Sequence, residues 1–178
     1  MSASLPGSTP PTPPPLERVG PGLRVLVCGL KPSIYSAQRG IPFARPGNRF
    51  WPAAIEAGMV TRDRDPEHAF THDRVGFTDV VARPTVAVAE IQKPEFVAGM
   101  RRVRRMAARY RPAVVCFVGL TGWRAAVDPR ALPGTHPFGP VTAYLMPSTS
   151  GLNASSQHAD FVAHFRAVVE LASAVPRS

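Results

Sequence analysis

The chain has 178 residues, 44% of them hydrophobic, and a net charge of +9, which suits one domain with a buried core. No apolar run approaches the roughly 20 residues that span a bilayer, and the N-terminus lacks the pattern of a secretory signal, so we expect a cytoplasmic protein. The positive charge attracts polyanions, but charge alone does not distinguish a nucleic-acid partner from a compositional bias towards arginine.

The N-terminal residues 1–22 differ in composition from the rest of the chain. They hold seven of the 21 prolines together with Ser, Thr and Gly, and they offer almost nothing to bury. This composition predicts a disordered arm. The folded domain is then expected over residues 23–178.

Strand and helix patterns alternate after this arm. Buried strands are predicted at 23–30, 113–119 and 141–146, with a shorter one at 76–81, and helices at 48–58, 94–110 and 160–175. Asn48 and Gly58 are the expected caps of the first helix, and residues 59–75 are expected to be irregular. The alternation predicts an α/β fold with a mainly parallel sheet. The loops at 29–37 and 147–154 then lie at carboxyl ends of strands, where such folds bind ligands.

Metal and disulfide chemistry are not expected. Cys28 and Cys116 both lie in strand-like apolar runs, which favours buried thiols over a disulfide. Two cysteines do not make a zinc site by themselves, and the five histidines show no metal-ligand spacing. We therefore expect a metal-free protein.

Four segments carry a resemblance to a known family: GLKPSIYSA (29–37), IPFARPGNRFWPA (41–53), GFTDVVARPT (76–85) and MPSTSGLN (146–153). In these segments the chain resembles the mismatch-specific uracil-DNA glycosylases and thymine-DNA glycosylases of the uracil-DNA glycosylase superfamily. The resemblance implies a three-layer α/β/α sandwich with a four-stranded central sheet. It also implies a monomer that flips uracil out of mismatched double-stranded DNA and hydrolyses the N-glycosidic bond. No cofactor is implied, because water is the second substrate.

The resemblance assigns base recognition to the first two segments. Phe43 takes the position of the ring that stacks on the flipped base, since every base offers a π-face. Gly29, Ser36 and Tyr35 are expected to line the base pocket. From composition alone, Phe43 would be an ordinary core residue.

The resemblance assigns DNA contacts mainly to the last segment. Leu152 is the expected wedge that fills the gap left by the flipped base, although the residues alone also fit a plain Ser/Gly turn. Gly151 and Asn153 flank this wedge and are expected to contact the orphaned guanine. The expected phosphate contacts are made by Ser148, Thr149, Ser150, Arg45 and Arg49. The arginines of the 94–110 helix are expected to form a solvated surface instead.

The chain departs from the family at the residue that positions the attacking water. The first motif usually reads G-x-N-P, whereas Lys31 stands in place of the Asn. An ammonium donates hydrogen bonds only, so three roles remain open for Lys31: stabilising the departing base, attacking the sugar as an amine, or marking a site that only binds. Asp79, in the third segment, supplies a carboxylate that can accept a proton from water or merely cap a turn. Lys31 and Asp79 could also form an ion pair.

Two other functions fit the residues. A non-catalytic protein would bind mismatched or damaged DNA without releasing a base. A nucleoside hydrolase would act on small molecules and would not need Leu152. The positive charge and the bulky wedge argue against the hydrolase.

Overall fold

The computed structural model describes residues 15–176. A five-stranded sheet lies at its centre, in the spatial order β2-β1-β3-β5-β4. The strands are β1 (Val25–Gly29), β2 (Val75–Asp79), β3 (Val114–Val118), β4 (Gly134–Phe138) and β5 (Val141–Met146). The helices are α1 (Ile34–Arg39), α2 (Phe50–Glu56), α3 (Pro66–His68), α4 (Lys93–Tyr110), α5 (Thr121–Ala126) and α6 (His158–Ala174).

Alternating apolar side chains give the sheet two buried faces. In β1, Val25 and Val27 belong to one core cluster, while Leu26 and Cys28 belong to the other. Helices α2 and α6 cover the first face and α4 and α5 cover the second. The expected three-layer α/β/α sandwich is therefore confirmed. Cys28 and Cys116 are buried free thiols, as expected.

The sheet has one more strand than expected. Strands β2, β1, β3 and β5 are mutually parallel, and β4 adds to the edge by antiparallel pairing with β5. The sequence of β4, GTHPF, contains few apolar residues, so it gave no strand signal. Pro137 is tolerated there because an edge strand has one side without ladder partners.

The first part of the described chain joins the fold earlier than predicted. Arg18 exchanges two backbone hydrogen bonds with Phe77 of β2, at 2.8 and 2.9 Å. The predicted arm over residues 1–22 therefore extends too far, because Arg18, Val19 and Gly20 pack against the domain. The remainder of that prediction, residues 1–14, lies outside the described residues.

Short elements fill segments that were expected to be loops. Helix α1 follows β1 directly, and the polar stretch before β2 holds α3 and a π-helical turn (Ala69–Asp73). Helix α2 begins after Arg49, and the Asn48 side chain still accepts a hydrogen bond from the backbone N–H of Phe50 (3.0 Å). None of the helices within residues 15–176 is long and apolar enough to cross a membrane.

The strand order creates a crevice at the carboxyl ends of the strands, between β1 and β3. From β1 the chain passes to β2 on one side, and β3 then lies on the other side of β1. Connections leave the carboxyl ends of β1 and β3 in opposite directions at this point. Ligands of open α/β sheets bind at such a switch point.

Candidate active site

A cavity of about 430 Å³ opens at this crevice. Its walls come from the segment after β1, the end of β2, the segment after β2, and the loop after β5. This cavity brings together nine of the residues to which the sequence analysis gave a role in the site: Lys31, Ser36, Phe43, Arg45, Asp79, Ser148, Thr149, Ser150 and Leu152. Its volume is within the range of small-ligand sites.

Asp79 ends β2 and lies beside the end of β1. It is paired in the parallel register with Gly29, the last residue of β1. A side chain on Gly29 would collide with Oδ1 of Asp79 and would lie 3.4 Å from the Phe43 ring. Gly29 therefore contributes space to the site, since its missing side chain lets the carboxyl group and the ring approach each other.

The Asp79 carboxyl group is free to act on a ligand. No group within the described part of the chain donates a hydrogen bond to it. Its pKa is raised to about 7, chiefly by burial; Arg102 and Lys31 lower it and Glu17 raises it. A carboxyl group with such a pKa exchanges protons near neutral pH, as a general base requires.

Lys31 is held by a different partner from the one expected. Its Nζ donates a hydrogen bond of 2.7 Å to the backbone carbonyl of Thr85, and it forms no ion pair with Asp79. Burial lowers the pKa of Lys31, and Arg45 adds to the effect, while Glu90 and Asp79 oppose it. The ion pair that the sequence left open between Lys31 and Asp79 is therefore absent: the two charged groups share the cavity and interact only through space.

Phe43 lies in a tightly determined conformation. Its φ of 55° is in the left-handed region, which is uncommon for an aromatic residue. Its ring stacks on Phe50, with centroids 4.3 Å apart and planes inclined by 14°. The Ser36 hydroxyl accepts a hydrogen bond from the N–H of Ala44 (3.1 Å), which fixes the turn that carries the ring.

Tyr35 lies away from the cavity that Phe43 and Ser36 line. Its ring lies under the Arg39 guanidinium, 3.4 Å from the centroid, and it is not among the residues that line the cavity. The base-binding role expected for Tyr35 therefore needs correction. Successive residues of a helix point in different directions, so the side chain of Tyr35 faces away from the cavity, whereas that of the next residue, Ser36, lines it.

Leu152 lies at the mouth of the cavity with 88% of its surface exposed. The Ser148 hydroxyl oxygen accepts a hydrogen bond from the N–H of Ser150, and the Ser150 hydroxyl oxygen accepts one from the N–H of Leu152, both at 3.2 Å. The protons of both hydroxyl groups remain available to a phosphate. Gly151 packs closely on the neighbouring turn, since a side chain there would lie 3.1 Å from the carbonyl oxygen of Gly47.

Three expected DNA contacts are used inside the protein instead. The buried Thr149 hydroxyl donates to Oδ1 of Asn48 (2.9 Å). The Asn153 amide donates to the carbonyl of Ser148 (2.8 Å), and its Oδ1 accepts from the N–H of Ser155 (3.0 Å). The Arg49 guanidinium donates only to backbone carbonyls of the same loop. Asn153 as a guanine contact, and Thr149 and Arg49 as phosphate contacts, are therefore corrected. Arg45 is exposed at the cavity, and its phosphate contact stays a prediction.

A charged network behind Asp79 was missed. Arg102 of α4 donates to the Glu17 carboxylate (2.6 Å) and to the backbone carbonyl of Asp79. The Thr78 hydroxyl donates to the same carboxylate (2.7 Å). Arg102 was expected to be a solvated residue, yet it lies three residues after the buried Gly99, at the border of the apolar face. That spacing was the available signal, whereas Glu17 fell in the predicted arm.

The family model of the uracil DNA glycosylase superfamily matches residues 17–172. The match includes all five strands and every segment that contributes to the cavity except Leu16. It begins before the predicted domain boundary at Leu23, in agreement with the packing of Arg18 on β2. Glu17 and Arg102 therefore both lie within the matched region.

Proposed function

The chain belongs to the uracil DNA glycosylase superfamily, whose members are DNA glycosylases of base-excision repair, and from this premise we propose that it excises uracil from mismatched double-stranded DNA. One juxtaposition carries the proposal. The cavity combines a carboxyl group without a protein partner among the described residues, a fixed aromatic ring and an exposed apolar side chain at its mouth: Asp79, Phe43 and Leu152.

Base flipping is supported by the shape of the site. A base must leave the helical stack to reach Asp79, and the gap it leaves costs a few kcal/mol of lost stacking and pairing. Leu152 is placed to fill that gap because it is exposed and lies at the cavity mouth. Phe43 offers the flipped base a stacking surface, worth about 1–3 kcal/mol for a base on an aromatic ring.

Hydrolysis is assigned to the Asp79 carboxylate. The oxygen of a water molecule forms a bond to C1′ of the deoxyribose, and a proton of that water passes to Asp79. The C1′–N1 bond breaks, and its electron pair leaves with the base as an anion. The negative carboxylate also stabilises the positive charge that develops on the sugar. The products are the free base and an abasic site.

Lys31 is assigned to the leaving group. One of its three N–H donors is held by the Thr85 carbonyl, which fixes the ammonium at the cavity wall and leaves two donors for a ligand. A cation beside the departing base stabilises the negative charge that develops there. A second mechanism requires Lys31 to lose its proton: the amine then forms a bond to C1′, the C1′–N1 bond breaks with the electron pair leaving on the base, and the enzyme also acts as a lyase.

The test is base release under single-turnover conditions. Excess protein is incubated with labelled duplexes that contain G·U, A·U or G·T, and with single-stranded uracil DNA, and abasic sites are then cleaved with alkali. We expect release of uracil from G·U and none from a uracil-free control duplex. Tight binding without release from any substrate would contradict the proposal and indicate a damage-binding protein. A borohydride-trapped adduct that is lost in Lys31→Ala would replace the hydrolytic mechanism with the lyase mechanism.

A further inference from the structure

The guanidinium group of Arg49 binds the loop that carries Leu152 through several hydrogen bonds. Arg49 donates hydrogen bonds to three backbone carbonyls of this loop: Ser150 (2.9 Å), Asn153 (2.6 Å) and Ser156 (2.8 Å). The first two acceptors lie on either side of Leu152 in the chain. The guanidinium also lies over the Phe161 ring, 4.7 Å from its centroid. A charged fork in this position holds the loop from inside.

The backbone next to Arg49 adds two further attachments. The N–H of Arg49 donates to the carbonyl of Thr149 (3.0 Å), and the buried Thr149 hydroxyl donates to Oδ1 of Asn48 (2.9 Å). Phe50, which supports the Phe43 ring, follows immediately in the chain. The same short segment, residues 48–50, therefore holds the loop of the wedge and the ring for the base.

We propose that Arg49 is a positioning residue that sets the Leu152 wedge at a fixed place relative to the base pocket before DNA binds. The inference rests on the proposed function, because it concerns the wedge of that reaction. Both terminal nitrogens of the Arg49 guanidinium donate to the loop and its Nε is buried, so we expect Arg49 to contact neither the base nor a phosphate. Preorganisation of this kind lowers the cost of ordering the loop when the wedge enters the duplex.

Arg49→Lys is the informative substitution. Lysine keeps the positive charge, but its compact ammonium cannot span three acceptors as the planar fork does. We expect single-turnover base release from a G·U duplex to fall by about 10²-fold, the loss typical of a misplaced contact. The double variant with Leu152→Ala should be no slower than Leu152→Ala alone, because a wedge that has been removed needs no positioning.

Arg45→Lys is the matched control, since Arg45 lies on the same turn but makes none of these loop contacts. In the double variant with Leu152→Ala, the fold-losses in rate caused by the two substitutions should multiply. If the fold-losses in rate from Arg49→Lys and Leu152→Ala multiply in the double variant, the inference is overturned. It is also overturned by a reduction of about 0.9 in the salt slope of duplex binding for Arg49→Lys, which is the signature of a lost phosphate contact.

Two measurements keep the test decisive. If the melting temperature shows that Arg49→Lys does not fold, Thr149→Val removes one attachment and should show a smaller loss with the same dependence on Leu152. A 2-aminopurine base beside the uracil reports flipping by its fluorescence, with or without base release. If the wild type flips but releases no base, the proposed function fails, whereas the fluorescence of the four variants in the cycle still decides the role of Arg49.

Discussion

Gly29 and Asp79 lie side by side at the carboxyl ends of two parallel strands, and the Asp79 carboxyl group fills the space that a side chain at residue 29 would need. The Phe43 ring borders the same space. The Phe43 ring and the Asp79 carboxyl group can therefore both reach the end of β1. This arrangement makes the glycine part of the proposed active site although it has no side-chain functional group.

Gly29→Ala should damage catalysis by displacing Asp79. The added methyl group and Oδ1 cannot occupy the same space, so the carboxyl group must rotate away from its position in the cavity. We expect single-turnover base release to fall by about 10²-fold. In an Asp79→Ala background the same substitution should change the rate little, because the displaced group is already absent. An unchanged rate for Gly29→Ala alone would refute this account of the glycine.

The charged network behind Asp79 should set the pH dependence of the reaction. A carboxylate base is active when ionised, so the rate should rise with pH and level off above the Asp79 pKa of about 7. Arg102 lowers that pKa and Glu17 raises it. The midpoint of the profile should therefore move to higher pH in Arg102→Met and to lower pH in Glu17→Gln.

Arg105→Met is the control for this pair, because Arg105 is exposed on the same helix. Its profile should match that of the wild type. Single-turnover rates at saturating protein remove differences in DNA affinity. A common midpoint in all four proteins would show that Asp79 does not control the pH dependence.

Asp79 should also reduce the stability of the fold as pH rises. Its pKa is about 7 in the folded protein against an ordinary value of 3.8. Between these values the folded state binds more protons than the unfolded state, so the free energy of unfolding falls as pH increases. Asp79→Asn cannot ionise and should avoid this loss.

Thermal unfolding across pH measures the effect. The melting temperature of Asp79→Asn should exceed that of the wild type by an amount that is smallest near about pH 4, increases towards about pH 7 and is constant above it. The wild type serves as the reference at each pH. An Asp79→Asn protein that is equally or less stable at pH 8 would indicate an ordinary pKa for this carboxyl group.

Arg45 should contact the DNA backbone. It is exposed at the cavity mouth and, among the described residues, has no hydrogen-bond or ion-pair acceptor for its guanidinium. Loss of one phosphate contact reduces the slope of log K against log salt by about 0.9, so Arg45→Met should show this change in duplex binding. Arg101→Met, on the exposed side of α4, should keep the wild-type slope. Equal slopes for both variants would exclude the contact.

The sequence predicted those parts of the fold that have a strong local pattern. The run VLVCG in β1 is buried on both faces and reads as a strand without further information, and α4 shows its apolar spacing clearly. The sequence of β4 gave no such signal because the strand depends on its pairing with β5. Residues 15–22 looked unable to fold for the same reason: their partners, such as Phe77, come from a distant strand.

The site could be predicted only as a set of loops. The family resemblance brought Phe43, Asp79 and Leu152 together before any geometry was known, and these three residues do line one cavity. The partners of individual polar groups could not be foreseen. The polar sequences around Arg49 and Asn153 suggested solvent-exposed side chains. Both side chains instead donate hydrogen bonds to backbone carbonyls whose positions depend on the folded loop.

Catalysis by the Asp79 carboxylate is tested most directly by base release from a G·U duplex under single-turnover conditions, with the wild type, Asp79→Asn and Lys31→Ala side by side. Asparagine preserves the shape of Asp79 but cannot accept the proton of water. Asp79→Asn should therefore lose about 10²- to 10⁴-fold in rate, the usual contribution of a general base. An Asp79→Asn rate close to that of the wild type would contradict the assignment and leave catalysis to another group.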